Sequence, residues 1–367
     1  MGRRAKTALL VGAGLALAAF APQSGPRLGY ALDGLMETAA LSPPVQPGEQ
    51  YPPAGQDRTI ATVPQPAPAA RARHPDWTLS VDASVTADSN VTNSTDAKTV
   101  LVDDGSGLLP VPLDPNLRQR GGLGYGVSAA GSVKLPVAPG LAVDLAADGY
   151  YLDYPGRTAD DSSVTASAGL DLDRGKSQAS LQLIAFDRWY AGISAMAGGG
   201  VRANYRQEVG KGQHLALYLD ARVFESDYGE PFGGKQANAY LAYDIVLDPT
   251  LTASGGVYVR RDWLRDNGFS STEIGAYGNL TRYLGPNFTG GISLGASRAL
   301  FDAPVAFLSP DPRRDWRYYA SLYVTTRHPV LWGVTPSLTY TWNRTSSSIL
   351  YYRADRHRLR LGLQRSF

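Results

Sequence analysis

The sequence predicts an all-β transmembrane fold: an antiparallel up-and-down β-barrel of about 14 strands behind a disordered Pro-rich segment. Three observations predict it. Beyond Pro75 the chain is a succession of roughly ten-residue segments in which apolar residues alternate with polar or small ones. Period two makes strands with one apolar face, and nine to eleven residues is about what a tilted strand needs to cross a bilayer. The connections alternate short and long, and the apolar faces carry almost no charge.

Residues 1–21 read as a secretory signal: Arg3, Arg4 and Lys6 precede an apolar run from about Ala8 to Phe20. The run is too short and wrongly flanked for a spanning helix. Residues 22–75 turn to Pro, Ala, Gln and Gly, as in SPPVQPGEQYPPAGQ. So many prolines exclude helix interiors and central strands, so an extended periplasmic linker is expected there. The barrel is expected over 76–367.

Its strands are expected near 77–87, 123–133, 141–151, 162–172, 177–187, 192–204, 213–223, 235–246, 250–260, 271–283, 287–297, 315–326, 335–343 and 356–367. In the first, Leu79, Val81, Ala83 and Val85 oppose Ser80, Asp82, Ser84 and Thr86. In HLALYLDARV, Leu215, Leu217, Leu219 and Val223 oppose Tyr218, Asp220 and Arg222. Short links such as KLPVAPG, DRGK and LGP alternate with longer polar ones near 88–121, 152–161, 224–234, 261–270, 298–314 and 344–355. Only the link around Arg188–Ala191 breaks the rule. Trp77, Tyr150, Tyr151, Tyr283, Trp316 and Trp342, near segment ends, suit interfacial aromatic girdles. A soluble β-sandwich also alternates, but its strands commonly have five or six residues.

The final segment, RHRLRLGLQRSF, puts Leu359, Leu361, Leu363 and Phe367 on one face. A closing strand that ends on an aromatic resembles the signal read by the outer-membrane barrel assembly machinery.

The chemistry-bearing residues are sparse. A net charge of +2 leaves no electrostatic footprint for nucleic acid. The absence of Cys excludes disulfides and thiolate chemistry. No two of the four histidines stand at metal-ligand spacing, and no Gly-rich loop joins a strand to a helix. No enzyme, metal or cofactor is therefore expected. What remains is the barrel interior, lined by Asp82, Asp144, Asp148, Asp220, Asp244 and Glu273 with Arg202, Arg222, Arg317 and Arg360. Such a lining is either a solvated interior cross-linked by ion pairs or a path for a polar substrate or unfolded chain. Both signs are present, which argues against strong ion selection.

Specific residues add a resemblance. Asp88-Ser89-Asn90 and Asn93 follow the first strand, and Arg313-Arg314-Asp315 with Tyr318 enters a later one. Gly333-Val334-Thr335-Pro336 opens the next, and Asn343, Ser348-Ile349 and Tyr351 precede the closing strand, which carries Arg356-His357-Arg358. Together they resemble the C-terminal barrel of the surface lipoprotein assembly modifiers, the Slam family of Gram-negative outer membranes. The likeness spans about 77–367, with its motifs at the two ends. It implies a barrel among outer-membrane lipids that helps a client lipoprotein or small secreted protein reach the cell surface. Family members usually carry a helical-repeat (TPR) domain ahead of the barrel. Residues 22–75 lack its 34-residue repeat, which leaves room for a separate periplasmic partner that feeds the barrel. The alternatives are a passive porin-like diffusion channel for small polar solutes and an inert or adhesive surface barrel.

Overall fold

Alternation along the chain becomes a closed cylinder. The computed structural model describes residues 76–103, 107–155, 159–306, 308–326, 328 and 333–367. The signal and linker expected over 1–21 and 22–75 lie outside them. Sixteen strands are present among these residues: β1 (Asp76–Asp88), β2 (Thr99–Asp103), β3 (Leu108–Pro112), β4 (Gly122–Ala138), β5 (Leu141–Asp153), β6 (Asp161–Asp173), β7 (Ser177–Tyr190) and β8 (Ile193–Gly210). They continue with β9 (Gln213–Glu225), β10 (Gly234–Asp248), β11 (Leu251–Leu264), β12 (Ser271–Leu284), β13 (Phe288–Pro304), β14 (Pro312–Thr326), β15 (Thr335–Ser347) and β16 (Ala354–Ser366). Fourteen of them form the antiparallel barrel, in which β1 pairs with β4 on one side and closes on β16 on the other. β2 and β3 form a separate hairpin.

All fourteen expected strands are present, but they run 13–18 residues rather than ten. The extra length is at the ends, where strands leave the bilayer and apolar alternation stops while pairing continues. KLPVAPG, for example, is strand as far as Ala138, and only Pro139-Gly140 turns, with Gly140 at φ 74°. That left-handed conformation favours glycine. At the long-loop end Ala191 (φ 49°) and Gly192 (φ 81°) give the tight link that breaks the alternation, with both central residues at positive φ as in a type I′ turn.

The apolar faces point outward, where Leu359, Leu361 and Leu363 are about half exposed, while Asp82, Asp144, Asp220 and Glu273 are buried inside. Trp77, Tyr151, Trp316 and Trp342 hold outward register positions. Tyr150 and Tyr283 do not. Tyr150 pairs with Ser128 and Ser163, in the inward row of Asp82, and Tyr283 pairs with buried Thr289. Successive strand residues face opposite ways, so Tyr150 and Tyr151 cannot both belong to the girdle.

Candidate functional site

The ten residues expected to line the interior all sit on inward register positions, and most are tied to one another. Arg222 meets Asp220 at 2.6 Å and Arg202 reaches the same carboxylate at 3.4 Å. Asp148 lies within electrostatic reach of both arginines. Arg206 approaches Asp244 at 3.7 Å. Buried Glu273 accepts bonds from Tyr258 (2.8 Å) and Ser297 (2.6 Å) and is bridged by Arg317; Arg360 bridges Asp82 across the β1–β16 seam. Asp144 accepts a bond from Gln182 at 2.9 Å. Buried charges need such partners, because an unpaired one in a low-dielectric interior costs several kcal/mol.

Between these pairs runs a ladder that the sequence reading missed: Tyr218, Tyr240 and Tyr258 on successive strands, with ring centroids 5.8 and 5.2 Å apart. Gly275 makes room for it, since a Cβ there would lie 2.4 Å from the Tyr258 ring. The signal was in the sequence as tyrosines on polar faces, but their stacking depends on register. The wall from β8 to β14 is thus cross-linked, and Asp82 on β1 and Lys134 on β4 are also paired, with Arg360 and with Asp171 at 2.6 Å; between them β1 and β4 offer Ser84, Ser128, Ala130 and Ser132.

The motif residues from the two chain ends converge at the seam, at the long-loop end. Arg356 grips Asp88 with Nε at 3.1 and 3.0 Å and Nη2 at 2.5 Å; Tyr154 donates to the same carboxylate at 2.8 Å. Burial, with the Asp88 carboxylate beside it, pushes the Tyr154 phenol up. Ser89 N–H donates to His357 O (2.9 Å) and His357 N–H donates to Ser89 Oγ (2.8 Å). Fully buried Asn90 donates from Nδ2 to Asp355 O (3.1 Å) and to Ser94 O (2.8 Å). Asn93 takes φ 50°, a left-handed conformation that Asn tolerates better than most residues. The His357 side chain points outward, with Nδ1 2.8 Å from Tyr340 Oη.

A second set of motif residues lies inside the mouth. Arg313 pairs with fully buried Asp315 at 2.6 Å and stacks on Phe301 and Tyr352 at 4.1 and 3.7 Å from the ring centroids. Outward-facing Arg314 donates its N–H to Ser348 Oγ (3.0 Å) and accepts from Ser348 N–H at its carbonyl O (2.9 Å), and Tyr351 packs edge-on against Tyr352. Pro336 lies apart, at the short-turn end of β15 beside Leu363.

Above these residues the long loops close over the barrel. Val100, Leu113, Phe232, Phe269, Val305, Leu308, Ile349, Tyr351 and Tyr352 form one buried apolar cluster, to which five loops contribute. Val91, Tyr154, Ala159, Tyr190 and Ala195 form another, and Tyr228 packs against both. The mouth therefore has a roof with its own hydrophobic core. Among the described residues no group of three or more His, Asp or Glu is placed to hold a metal ion.

A family model described as surface lipoprotein assembly modifier matches residues 77–367. The chain belongs to the surface lipoprotein assembly modifier family. One relative is surface lipoprotein assembly modifier 1 of Haemophilus influenzae, 25% identical over 231 residues. That match covers 59% of this chain and 46% of the relative, so the chain spans about half the length of the curated relative it matches. Similar solved structures include the outer membrane channel DcaP of Acinetobacter baumannii, at 10% identity and a TM-score of 0.45, over 80% of this chain and 97% of that one. A FadL homologue of Pseudomonas aeruginosa gives 9% identity and a TM-score of 0.44, over 79% and 89%. The surface lipoprotein assembly modifier barrel described above is an outer-membrane barrel of a Gram-negative bacterium.

Proposed function

We propose that this barrel carries lipoproteins or small secreted proteins across the outer membrane to the cell surface, and that it yields at the β1–β16 seam. The roof is the observation that carries the reading. A standing diffusion channel for small polar solutes needs an open outer mouth, whereas this mouth is covered by a packed apolar core. Passage then requires a change of shape. The seam is the least paired junction: β1 and β16 share nine residue pairs, against eleven to fourteen at every other junction. Asp76, Trp77 and Thr78 pair with β4 alone. The clasp of Asp88, Ser89, Asn90, Arg356 and His357 holds the seam at its outer end. In this reading the assembly machinery inserts the barrel by its closing strand, and a periplasmic partner delivers the client.

The test compares surface proteins of wild-type and deletion cells by protease shaving and mass spectrometry. The reading expects a lipoprotein or small protein to leave the surface and accumulate inside the envelope. An unchanged surface, together with steady ion conductance by the purified barrel, would overturn it in favour of a diffusion channel.

A further inference from the structure

The outer wall is electrically one-sided. Outward positions on β1 and β4–β9 carry no lysine or arginine; near the long-loop end they carry Asp153, Asp187 and Glu225. Outward positions on β10–β15 carry Lys235, Arg261, Arg298, Arg314 and Arg344 toward that same end. In a tilted barrel a hydrogen-bonded row climbs as it goes round, here by roughly one residue per strand toward the long loops. Allowing for that climb, Arg314 stands nearer the loops, and the other four lie at one height, just outside the apolar band. They span five strand spacings, about 24 Å.

Two of them are held in place by the wall itself. Arg261 lies over the Trp263 ring at 5.5 Å and Arg298 over Trp316 at 5.5 Å. Arg261 is neutralised by Asp302, but no acidic partner is within ion-pair distance of Lys235, Arg298 or Arg344 among the described residues. Basic side chains often snorkel from a bilayer edge into water, but a general snorkelling ring would run all round the barrel. This one occupies six neighbouring strands and faces an acidic opposite side.

We propose that this arc binds the phosphate groups of the glycolipid that forms the outer leaflet of such membranes. Guanidinium forks and an ammonium at headgroup depth match phosphate oxygens, and the indoles, level with the arginines or nearer the loops, offer stacking faces to the sugars. The wall would then carry glycolipid on its β10–β15 side and leave the seam, whose outward wall is apolar below Asp355 and His357, to more mobile lipid. This inference does not depend on the translocation reading.

The experiment uses the full-length protein in detergent, with hexa-acylated bisphosphorylated lipid A as probe and native mass spectrometry as readout. The triple variant Lys235→Gln, Arg298→Gln, Arg344→Gln should lower lipid A occupancy at least tenfold. Arg298→Lys should keep most of the binding, and Asp153→Asn on the far wall should leave it unchanged. Dephosphorylated lipid A should bind the wild type at least tenfold more weakly. Heat-modifiable gel mobility checks that each variant keeps its barrel. Equal occupancy in a folded triple variant, or tight binding of the dephosphorylated lipid, would overturn the proposal. So would a triple variant that keeps lipid A but loses surface delivery of a protein, because the arc would then be a protein-docking face.

Discussion

Asp88 and Arg356 are 268 residues apart in the chain and 2.5 Å apart across the seam. The Asp88 side chain is fully buried and that of Arg356 is 15% exposed, so the pair is not a surface ornament. It ties the outer end of β1 to β16 at the junction with the fewest paired residues.

Asp88→Ala removes the partner of a buried guanidinium, a change that typically costs about 3–5 kcal/mol. The folded, fast-migrating band on gels should convert to the unfolded form at a lower temperature, and Asp88→Asn should fall between. An unshifted conversion temperature for Asp88→Ala would mean that the clasp does not hold the seam.

The roof predicts a conductance. Phe232 and Phe269 pack at 5.0 Å between centroids within its core. Truncating such a buried aromatic to Ala typically removes about 3–5 kcal/mol from the packing around it. Phe232→Ala with Phe269→Ala should loosen the loops, leave the barrel heat-modifiable, and raise single-channel current in planar bilayers severalfold. Current no higher than wild type would assign the barrier to the interior instead.

Seam opening can be tested with a lock. The chain has no cysteine, so introduced thiols report alone. Val85 and Leu361 are register partners across the seam, and Val127 and Tyr151 are partners across β4–β5. Val85→Cys with Leu361→Cys should block surface delivery under oxidant and release it with reductant, while Val127→Cys with Tyr151→Cys should do neither. Delivery that persists with the seam cross-linked places the path elsewhere.

At the end of β16, Phe367 N–H donates to Leu79 O at 2.9 Å, and Arg365 lies over the ring at 4.6 Å. Phe367→Gln keeps the backbone bond and removes the aromatic. Outer-membrane levels of the variant should fall severalfold with precursor accumulating in the periplasm; wild-type levels would show that the assembly machinery reads something else.

The barrel was legible because its constraint is periodic. Lipid requires an uncharged face on alternate residues, so every strand announced itself, and Asp220 and Glu273 were placed inside by parity alone. The roof was not legible, because Phe232 and Phe269 stand singly in polar loops, and Val100 and Ile349 belong to short apolar runs with no sustained period to mark them. Pro110 and Pro112 hid the β2–β3 hairpin, since proline argues against a strand except at unpaired edges. The clasp residues were noted one by one, but their contact exists only once the sheet has closed.

Asn90 belongs to two structures at once. One bond from its side chain goes to Asp355 on the last strand, and another to Ser94 on the segment leading to the hairpin that adds Val100 to the roof. Seam and roof therefore share a free-energy cycle. The factor by which the closed roof favours the closed seam equals the factor by which the closed seam favours the closed roof, whichever is touched first. An antibody fragment that grips the closed loops from outside would then act as a brake on a junction it never contacts.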